Sequence, residues 1–341
     1  MRLRYGMNPH QIPASVEAIG AAPFAVVHGR PSYLNLLDAV AAWQVVREAS
    51  AGSGTVAAAS FKHVSPAGAA LAGPIDPVTA GLFGVDPAAD AVTRAYTRAR
   101  DTDPKSSYGD LVAVSAPVTA DLADLLRRVV SDGIIAPGYA PGTVGVLARK
   151  KNGAYLILEA DPAFVPPAAE VREVYGLRFV QRRDEAPLPD GLPGDLRLAL
   201  TTVRHTPSNA VVLVRDGATL GVAAGQQSRV DCVRLAGGKA EVWHRRRFVP
   251  ADALAGIARV QDRVASQLRL AEAVVPPVPL AGVSLASDGA LPFADTITEA
   301  ARHGVRHVAE PGGSIRSTAV AGAARAHHID ITHTGLRLFR H

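Results

Sequence analysis

A proline- and glycine-rich stretch near the middle of the chain constrains the fold more than any other sequence feature. It reads RDEAPLPDGLPGD from Arg183 to Asp195 and holds three prolines and two glycines among charged residues. This composition is typical of a linker, because proline and glycine interrupt both helices and strands. A chain of 341 residues is also longer than one small core usually needs. We therefore expect two domains, residues 1–190 and 195–341.

Short apolar runs alternate with helical patterns on both sides of this linker. Before it, LNLLDAVAAWQVVREA spaces Leu36, Val40 and Trp43 by four and three residues, which predicts a helix, while TVAAASF and DLVAVS predict buried strands. After it, NAVVLVRDGATLGVAAG predicts a hairpin with a polar turn, and QQSRVDCVRLAGGKA predicts a helix. Strands that alternate with helices in this way indicate layered α/β domains.

Composition and charge narrow the function classes. The chain is 48% hydrophobic and 20% charged, as in ordinary globular proteins, and its net charge of +5 favours anionic small ligands at least as readily as nucleic acid. The single cysteine, Cys232, excludes an internal disulfide framework and a cysteine-based zinc site. The first residues, MRLRYGMNPHQ, contain no apolar leader, so we expect a cytoplasmic protein with no membrane or nucleic-acid partner.

A lysine and a histidine lie side by side in FKHVSPAG, directly after a predicted strand. Ligand sites in α/β proteins lie at strand ends, and a cationic neighbour favours the neutral imidazole that can act as a base. The alternative is a surface histidine, His63, beside a solvated lysine, Lys62. Ser65 and Pro66 follow, and this pair predicts a helix N-cap with proline at the first helical position.

Three further segments carry polar residues with more than one interpretation. Arg4 in RYGMNPHQ suits a bidentate phosphate contact, but the segment could also be a polar terminus. Asn209 in SNA could donate its amide to a ligand or be a simple turn residue. Asn35 and Asp38 resemble a helix capping box. The histidines near the C-terminus lack the spacing of metal ligands, so we expect no metal site.

Together and in this order, these segments resemble the transformylase half of the bifunctional AICAR transformylase/IMP cyclohydrolase family of purine biosynthesis. The resemblance covers nearly the whole chain. It rests on RYGMNPHQ, SYLNLLDAVAAWQ, AAASFKHVSPAGAA, SSYGD, VSDGIIAPGY, KKNGAY, SNAVV, AAGQQSRVDCVRLAGGKA, PFAD, PGGSIR and TGLRLFRH. It implies an α/β fold of two cytidine-deaminase-like subdomains, with mixed sheets flanked by helices, and a homodimer with shared active sites.

The resemblance also implies a reaction and the residues that perform it. The chain would move a formyl group from the cosubstrate 10-formyltetrahydrofolate to the 5-amino group of AICAR. His63 would accept the proton of the amine, Lys62 would stabilise charge on the formyl oxygen, and Asn209 would orient the reacting groups. The implied substrate-binding residues are Arg4, Tyr5, Asn35, Tyr108, Gly109, Asp132, Arg337 and His341. The implied folate-binding residues are Arg229, Pro292 and Asp295.

Departures from the family pattern leave alternatives open. The sequence begins at the transformylase motif, so we expect no cyclohydrolase domain and a separate cyclohydrolase as a possible partner. Ala290 and Leu291 stand where the family carries an aromatic pair, Lys105 stands where a methionine or small residue is usual, and the stretch between GGKA and ASDG is shorter. One alternative is a related formyltransferase that acts on a different amine in specialised metabolism. Another is a non-catalytic nucleotide- or folate-binding protein, although such a protein would not need Lys62, His63 and Asn209 together.

Overall fold

A mixed sheet of eleven strands forms the centre of the molecule. The computed structural model describes residues 1–341, with the exception of the side chain of Ala251. The strands are β1 (Phe24–His28), β2 (Ala57–Lys62), β3 (Ser65–Leu71), β4 (Asp110–Val114), β5 (Ser131–Ala136), β6 (Leu156–Ala160), β7 (Ala169–Val174), β8 (Leu177–Arg182), β9 (Val211–Arg215), β10 (Ala218–Ala223), β11 (Val283–Ser287), β12 (Val305–Glu310) and β13 (Asp330–His333). Strands β7 and β8 form a separate two-stranded hairpin.

Helices cover both faces of the large sheet, which confirms the α/β class. They are α1 (Tyr33–Ser53), α2 (Pro77–Phe83), α3 (Ala91–Thr102), α4 (Ala120–Arg128), α5 (Thr143–Ala148), α6 (Gly194–Arg204), α7 (Arg229–Arg246), α8 (Val260–Glu272), α9 (Ala294–Arg302) and α10 (Ser317–Ala326), with short 3₁₀ helices at Lys150–Gly153 and Ala251–Leu254. Within the described residues, no helix has the length and apolar character needed to cross a membrane.

The order of elements repeats along the chain. A helix, a hairpin, two helices and three parallel strands with intervening helices occur first from α1 to β6 and again from α6 to β13. The sheet order β1–β6–β5–β4–β2–β3–β10–β9–β11–β12–β13 shows that the two hairpins meet at β3 and β10, which pair antiparallel. Residues 183–193, between the repeats, contain no helix or strand. The division of the chain into domains there stays a prediction.

Alternating side chains of the central strands build a separate core on each face. Ala57, Ala59 and Phe61 of β2 belong to the core under α1 and α6, whereas Ala58 belongs to the core on the opposite face. Both central strands also need a glycine where a helix crosses them. A Cβ at Gly68 of β3 would lie 2.2 Å from a backbone oxygen of α3, and the corresponding distance from Gly221 of β10 to α7 is 2.0 Å.

The structure corrects two local predictions. The predicted helix start at Ser65 and Pro66 is wrong, because these residues begin strand β3. Proline is tolerated in a strand at a β-bulge, and the β2–β3 register shifts next to Phe61, the partner of Pro66. Pairing with β2 therefore decided between the two conformations. The capping box of α1 lies three residues earlier than predicted: Ser32 is the N-cap and Asn35 is its partner. The predicted helix α1, the strands β2 and β4, and the β9–β10 hairpin are confirmed.

Candidate active site

The Lys-His pair lies at a strained two-residue turn between β2 and β3. Lys62 pairs with Ser65, so His63 and Val64 form the turn itself, with φ angles of 54° and 59°. Turns of this kind usually contain Asn-Gly, because both central residues need the left-handed conformation. A β-branched valine there is a steric outlier, and such strain persists only where surrounding groups hold it.

Asp38 of α1 holds this turn. Its Oδ1 accepts a hydrogen bond of 2.6 Å from the backbone N–H of Val64. Burial raises the pKa of the Asp38 carboxyl, while this hydrogen bond and the nearby His63 act in the opposite direction. Sequence reasoning placed Asp38 only in a capping box. The position of Asp38, three residues after Asn35 in the sequence, was the available signal for its importance. Its contact with the Val64 N–H could not be inferred from that spacing.

Lys62 connects the turn to the start of β4. Its Nζ donates a hydrogen bond of 2.6 Å to the backbone oxygen of Tyr108. Gly109 follows with a φ of 77°, and a Cβ on this residue would lie 3.8 Å from Oδ1 of Asp132. The carboxylate of Asp132 forms a partly exposed ion pair of 2.6 Å with Lys151. The structure therefore brings Lys62, Tyr108, Gly109 and Asp132 together.

A buried polar network fixes the backbone beneath this group. The carboxylate of Asp110 accepts hydrogen bonds from Ser60 Oγ at 2.6 Å, Arg100 Nη1 at 2.8 Å and Tyr96 OH at 3.0 Å. Burial of Tyr96 raises the pKa of its hydroxyl, so it stays protonated and donates. This network joins β2, α3 and β4 directly beside Lys62, and it gives the turn a rigid base.

The N-terminal residues gather at the start of α1. Arg4 Nη2 donates a hydrogen bond of 3.2 Å to Asn35 Oδ1, and its guanidinium carbon lies 5.5 Å from the centre of the Tyr5 ring. Asn35 Oδ1 also accepts the N–H of Ser32 at 3.1 Å. Arg4, Tyr5 and Asn35 thus form one group, and Asn35 lies on the helix that carries Asp38.

Asn209 is held by a buried ion pair. Its Oδ1 accepts a hydrogen bond of 2.8 Å from Arg229 Nη2, and its Nδ2 donates to the backbone oxygen of Gln227 at 3.2 Å. Arg229 also pairs with Asp288, and both side chains are buried. The guanidinium of Arg229 is therefore occupied inside the chain and is not free on the surface for a ligand. Sequence reasoning did not identify Asp288.

The C-terminal tail lies against Ser208, the residue before Asn209. The backbone N–H of Arg340 donates to Ser208 Oγ at 3.0 Å, and Ser208 N–H donates to the Arg340 oxygen at 2.9 Å. The side chain of Arg337 is exposed, with its guanidinium carbon 4.9 Å from the centre of the Phe339 ring. The ring of His341 lies 6.2 Å from that of Phe339.

Pro292 and Asp295 lie where β11 leads into α9. Asp295 is exposed in the first turn of the helix, and its Oδ1 accepts a hydrogen bond of 3.2 Å from the Thr296 hydroxyl. At the end of the neighbouring strand β12, the buried carboxylate of Glu310 lies 2.6 Å from Nδ1 of His333. Sequence reasoning assigned no role to Glu310 and His333.

All of these groups lie along one edge of the eleven-stranded sheet. Ala218 pairs antiparallel with Ala70, so the end of β10 lies beside the start of β3, next to the His63 turn. Strand β9 starts and strand β11 ends at this same edge, which brings Asn209 there as well. Strands β2 and β9 are three inter-strand spacings apart in the sheet order, which corresponds to about 14 Å. One chain therefore aligns the Lys-His pair with Asn209 but does not bring them into contact.

Comparison with known proteins identifies the family of this chain. The family model described as AICARFT/IMPCHase bienzyme matches residues 1–239. The chain belongs to this family. It is 34% identical to the bifunctional purine biosynthesis protein PurH of Roseobacter denitrificans and 34% identical to PurH of Chloroflexus aurantiacus. Each match covers 99% of this chain but only 59% of the relative, so the chain spans less than two thirds of the length of these relatives.

The residues that we expect to depart from the family pattern lie in different environments. Leu291 is buried in the core of the second repeat, whereas Ala290 is half-buried and Lys105 is exposed. A change at Lys105 therefore alters the surface near Tyr108, because the Tyr108 N–H donates to the Lys105 backbone oxygen at 3.4 Å. Among the residues whose side chains the structure describes, no group of three or more His, Cys, Asp or Glu is placed to hold a metal ion.

Proposed function

We propose that this chain is a folate-dependent formyltransferase that moves the formyl group of 10-formyltetrahydrofolate to the 5-amino group of AICAR. The products are formyl-AICAR and tetrahydrofolate. The observation that carries the proposal is the Lys62–His63 turn, strained, held by Asp38 and placed beside Tyr108, Gly109 and Asp132. A binding protein without catalysis has no need to hold a base and a cation in such a conformation.

His63 in the turn and Lys62 directly before it are assigned different parts of the reaction. His63 is exposed at the tip, where its imidazole can accept a proton from the attacking amine as the nitrogen bonds to the formyl carbon. The ammonium of Lys62, fixed by the Tyr108 oxygen, stabilises the negative charge that develops on the formyl oxygen. The bond from the formyl carbon to the folate nitrogen then breaks, and that nitrogen takes up a proton.

Substrate recognition is assigned to the groups around the turn. Arg4 and Arg337 carry exposed guanidinium groups suited to a phosphate, while Asp132 and Asn35 offer oxygens to ribose hydroxyls. Tyr108 and Gly109 would lie beside the imidazole ring of the substrate, and His341 would contribute from the C-terminal tail. Asn209, held by Arg229, would orient the reacting amine and formyl groups.

Residues of the second repeat are assigned to the folate. The carboxylate of Asp295 is exposed, which leaves it free to accept hydrogen bonds from the N–H groups of a pterin ring. Pro292 precedes it and offers an apolar contact. Arg229 is assigned an indirect role through Asn209, because its guanidinium is paired with Asp288. We propose no metal in the reaction.

The proposal includes a homodimer that shares its active sites, a cytoplasmic location, and a separate cyclohydrolase that consumes the product. The spacing of about 14 Å between the strands that carry Lys62 and Asn209 supports a site completed by a second copy.

Replacement of His63 by alanine tests the function. Formylation of AICAR should fall by about 10²–10⁴-fold, which is the usual contribution of a general base, while the affinity for AICAR changes little. His307→Ala provides a matched control, because His307 lies on β12 outside the proposed site. Retention of near-normal kcat in His63→Ala would overturn the assignment. Absence of AICAR formylation by the unaltered chain would overturn the proposed substrate.

A further inference from the structure

The buried imidazole of His205 joins helix α1 to the C-terminal tail. His205 caps the C-terminal end of α6 and is 8% exposed. Its Nε2 lies 3.0 Å from Oε2 of Glu48 on α1, and its Nδ1 lies 3.0 Å from Nη1 of Arg340 in the tail. The three side chains are far apart in the sequence, so the packing of the whole chain brings them together.

The partners of His205 determine which form of the imidazole is present. A guanidinium can only donate, so Nδ1 accepts the hydrogen bond from Arg340. Nε2 therefore carries the hydrogen and donates it to the Glu48 carboxylate, which also accepts a bond of 2.7 Å from Arg204 Nη1. Burial lowers the pKa of His205; Glu48 opposes this effect, and Arg340 and Arg204 add to it. The neutral imidazole, the form that can accept from Arg340, is thus favoured.

Arg340 needs this acceptor because its surroundings disfavour its charge. Burial lowers the pKa of the Arg340 guanidinium, Glu170 of β7 opposes this effect, and Arg183 and Arg172 add to it. A partly buried donor that loses its acceptor pays a desolvation cost. Without His205, the side chain of Arg340 would therefore turn towards water and leave its present position.

Arg340 is held at two points, and the tail residues on either side of it are exposed. Its backbone N–H donates to Ser208 Oγ at 3.0 Å, while the imidazole holds its side chain. Arg337 lies three residues before it and His341 directly after it, and both side chains are exposed. The position of these two side chains therefore depends on how firmly Arg340 is held.

We propose that His205 is a positioning residue for substrate binding, which acts through Arg340 to hold Arg337 and His341 in place. The inference rests on the proposed function, because that function assigns both tail residues to the substrate. Helix α1 then carries an anchor for each arginine assigned to the phosphate. It holds Arg4 through Asn35 at its start, and it holds the tail of Arg337 through Glu48 and His205 near its end.

Two substitutions of His205 separate its two contacts. The amide of His205→Gln reaches the place of Nε2 and keeps a donor for Glu48, but it removes the acceptor for Arg340. The amide of His205→Asn occupies the place of Nδ1 and keeps that acceptor, so it is the matched control. Arg340→Met removes the same contact from the half-buried tail side, which leaves the buried His205 unaltered. The result therefore does not depend on the folding of one variant.

The first measurement follows the tail directly. A carboxypeptidase of broad specificity digests the native proteins, and mass spectrometry measures the release of Phe339. His205→Gln should release it at least about tenfold faster than the unaltered chain, because a segment that opens more often is cleaved more often. His205→Asn should release it at the rate of the unaltered chain. The tail sequence is identical in these three proteins, so the rates compare directly.

The second measurement is calorimetric titration with AICAR in the absence of folate. His205→Gln and Arg340→Met should each raise the Kd by about 5–10-fold, which corresponds to one weakened charge-assisted hydrogen bond to the phosphate. The double variant His205→Gln with Arg340→Met should be no weaker than either single variant, because both remove the same contact.

Three results would overturn the inference. In the first, His205→Gln keeps both the tail protection and the AICAR affinity of the unaltered chain. In the second, the effects of His205→Gln and Arg340→Met add in the double variant, so the two residues act independently. In the third, His205→Asn is as impaired as His205→Gln, so His205 only fills space. Tail release and AICAR affinity that change as expected, in a chain that never formylates AICAR, would refute the proposed function alone.

Discussion

Replacement of Asp38 by alanine removes the group that holds the His63 turn. The carboxylate accepts the N–H of Val64 at 2.6 Å, and this N–H lies in a partly buried position. A hydrogen bond to a charged group contributes about 1.5–3 kcal/mol. Two non-glycine residues in the left-handed conformation cost about 2–4 kcal/mol together. The two quantities are of similar size, so the strained turn should not persist without Asp38.

The expected result is a loss of activity larger than the loss of stability. In Asp38→Ala the free energy of unfolding should fall by only about 1–2 kcal/mol, because the released turn recovers part of its strain. The kcat for AICAR formylation should fall by about 10–100-fold, because displacement of a catalytic group by about 1 Å has effects of that order. Urea unfolding and steady-state kinetics on the same preparations measure both quantities.

Asp38→Asn is the matched control, since its amide oxygen can still accept the Val64 N–H. This variant should keep most of the kcat that Asp38→Ala loses. If Asp38→Ala instead keeps the unaltered kcat, the turn does not depend on Asp38 and the reasoning fails. If Asp38→Asn is as inactive as Asp38→Ala, the negative charge beside His63 matters more than the hydrogen bond.

The unaltered protein and Asp38→Asn should also differ in how their stability depends on pH. Burial raises the pKa of Asp38 above its ordinary value of 3.8, so the folded chain binds a proton there more tightly than the unfolded chain. The associated stabilisation is complete below pH 3.8 and is lost as the pH rises through the raised pKa. The free energy of unfolding of the unaltered protein, relative to that of Asp38→Asn, should therefore decrease from acid to neutral pH. A constant difference would contradict the raised pKa.

Three other predictions concern separate parts of the molecule. Arg337→Ala should raise KM for AICAR by about tenfold, in line with one lost charge-assisted hydrogen bond, and should leave a dephosphorylated analogue unaffected; equal effects on both would exclude phosphate recognition. Burial raises the pKa of the Cys232 thiol to about 12, so a thiol reagent at pH 8 should label it only after unfolding, and rapid labelling of the native protein would refute this. Conversion of AICAR by the 341-residue chain should stop short of completion and proceed further when a cyclohydrolase is added. The ring and the neighbouring carboxamide withdraw the lone pair of the AICAR amine, so formyl transfer to it is not strongly favourable and removal of the product draws it forward; complete conversion without the cyclohydrolase would refute the coupling.

The sequence by itself determined the elements that depend on local patterns. Helix α1 follows from the spacing of Leu36, Val40 and Trp43, and the β9–β10 hairpin follows from two apolar runs around a polar, glycine-containing turn. Family membership also came from the sequence, because long motifs in a fixed order identify relatives without knowledge of their contacts. The Lys-His pair was also located from the sequence, because it lies in one of these motifs, AAASFKHVSPAGAA.

Only the tertiary structure decided how distant residues support the site. The contact between Asp38 and Val64 spans 26 residues, and that between Arg229 and Asp288 spans 59, so both depend on the register of the sheet. Ser65 and Pro66 fit a helix start as well as a strand start, and pairing with β2 selected the strand. The exposure of the β7–β8 hairpin could not be predicted either, because the sequence does not show whether the folded chain covers an apolar residue. Local periodicity fixes an element, whereas its neighbours are fixed by packing over the whole chain.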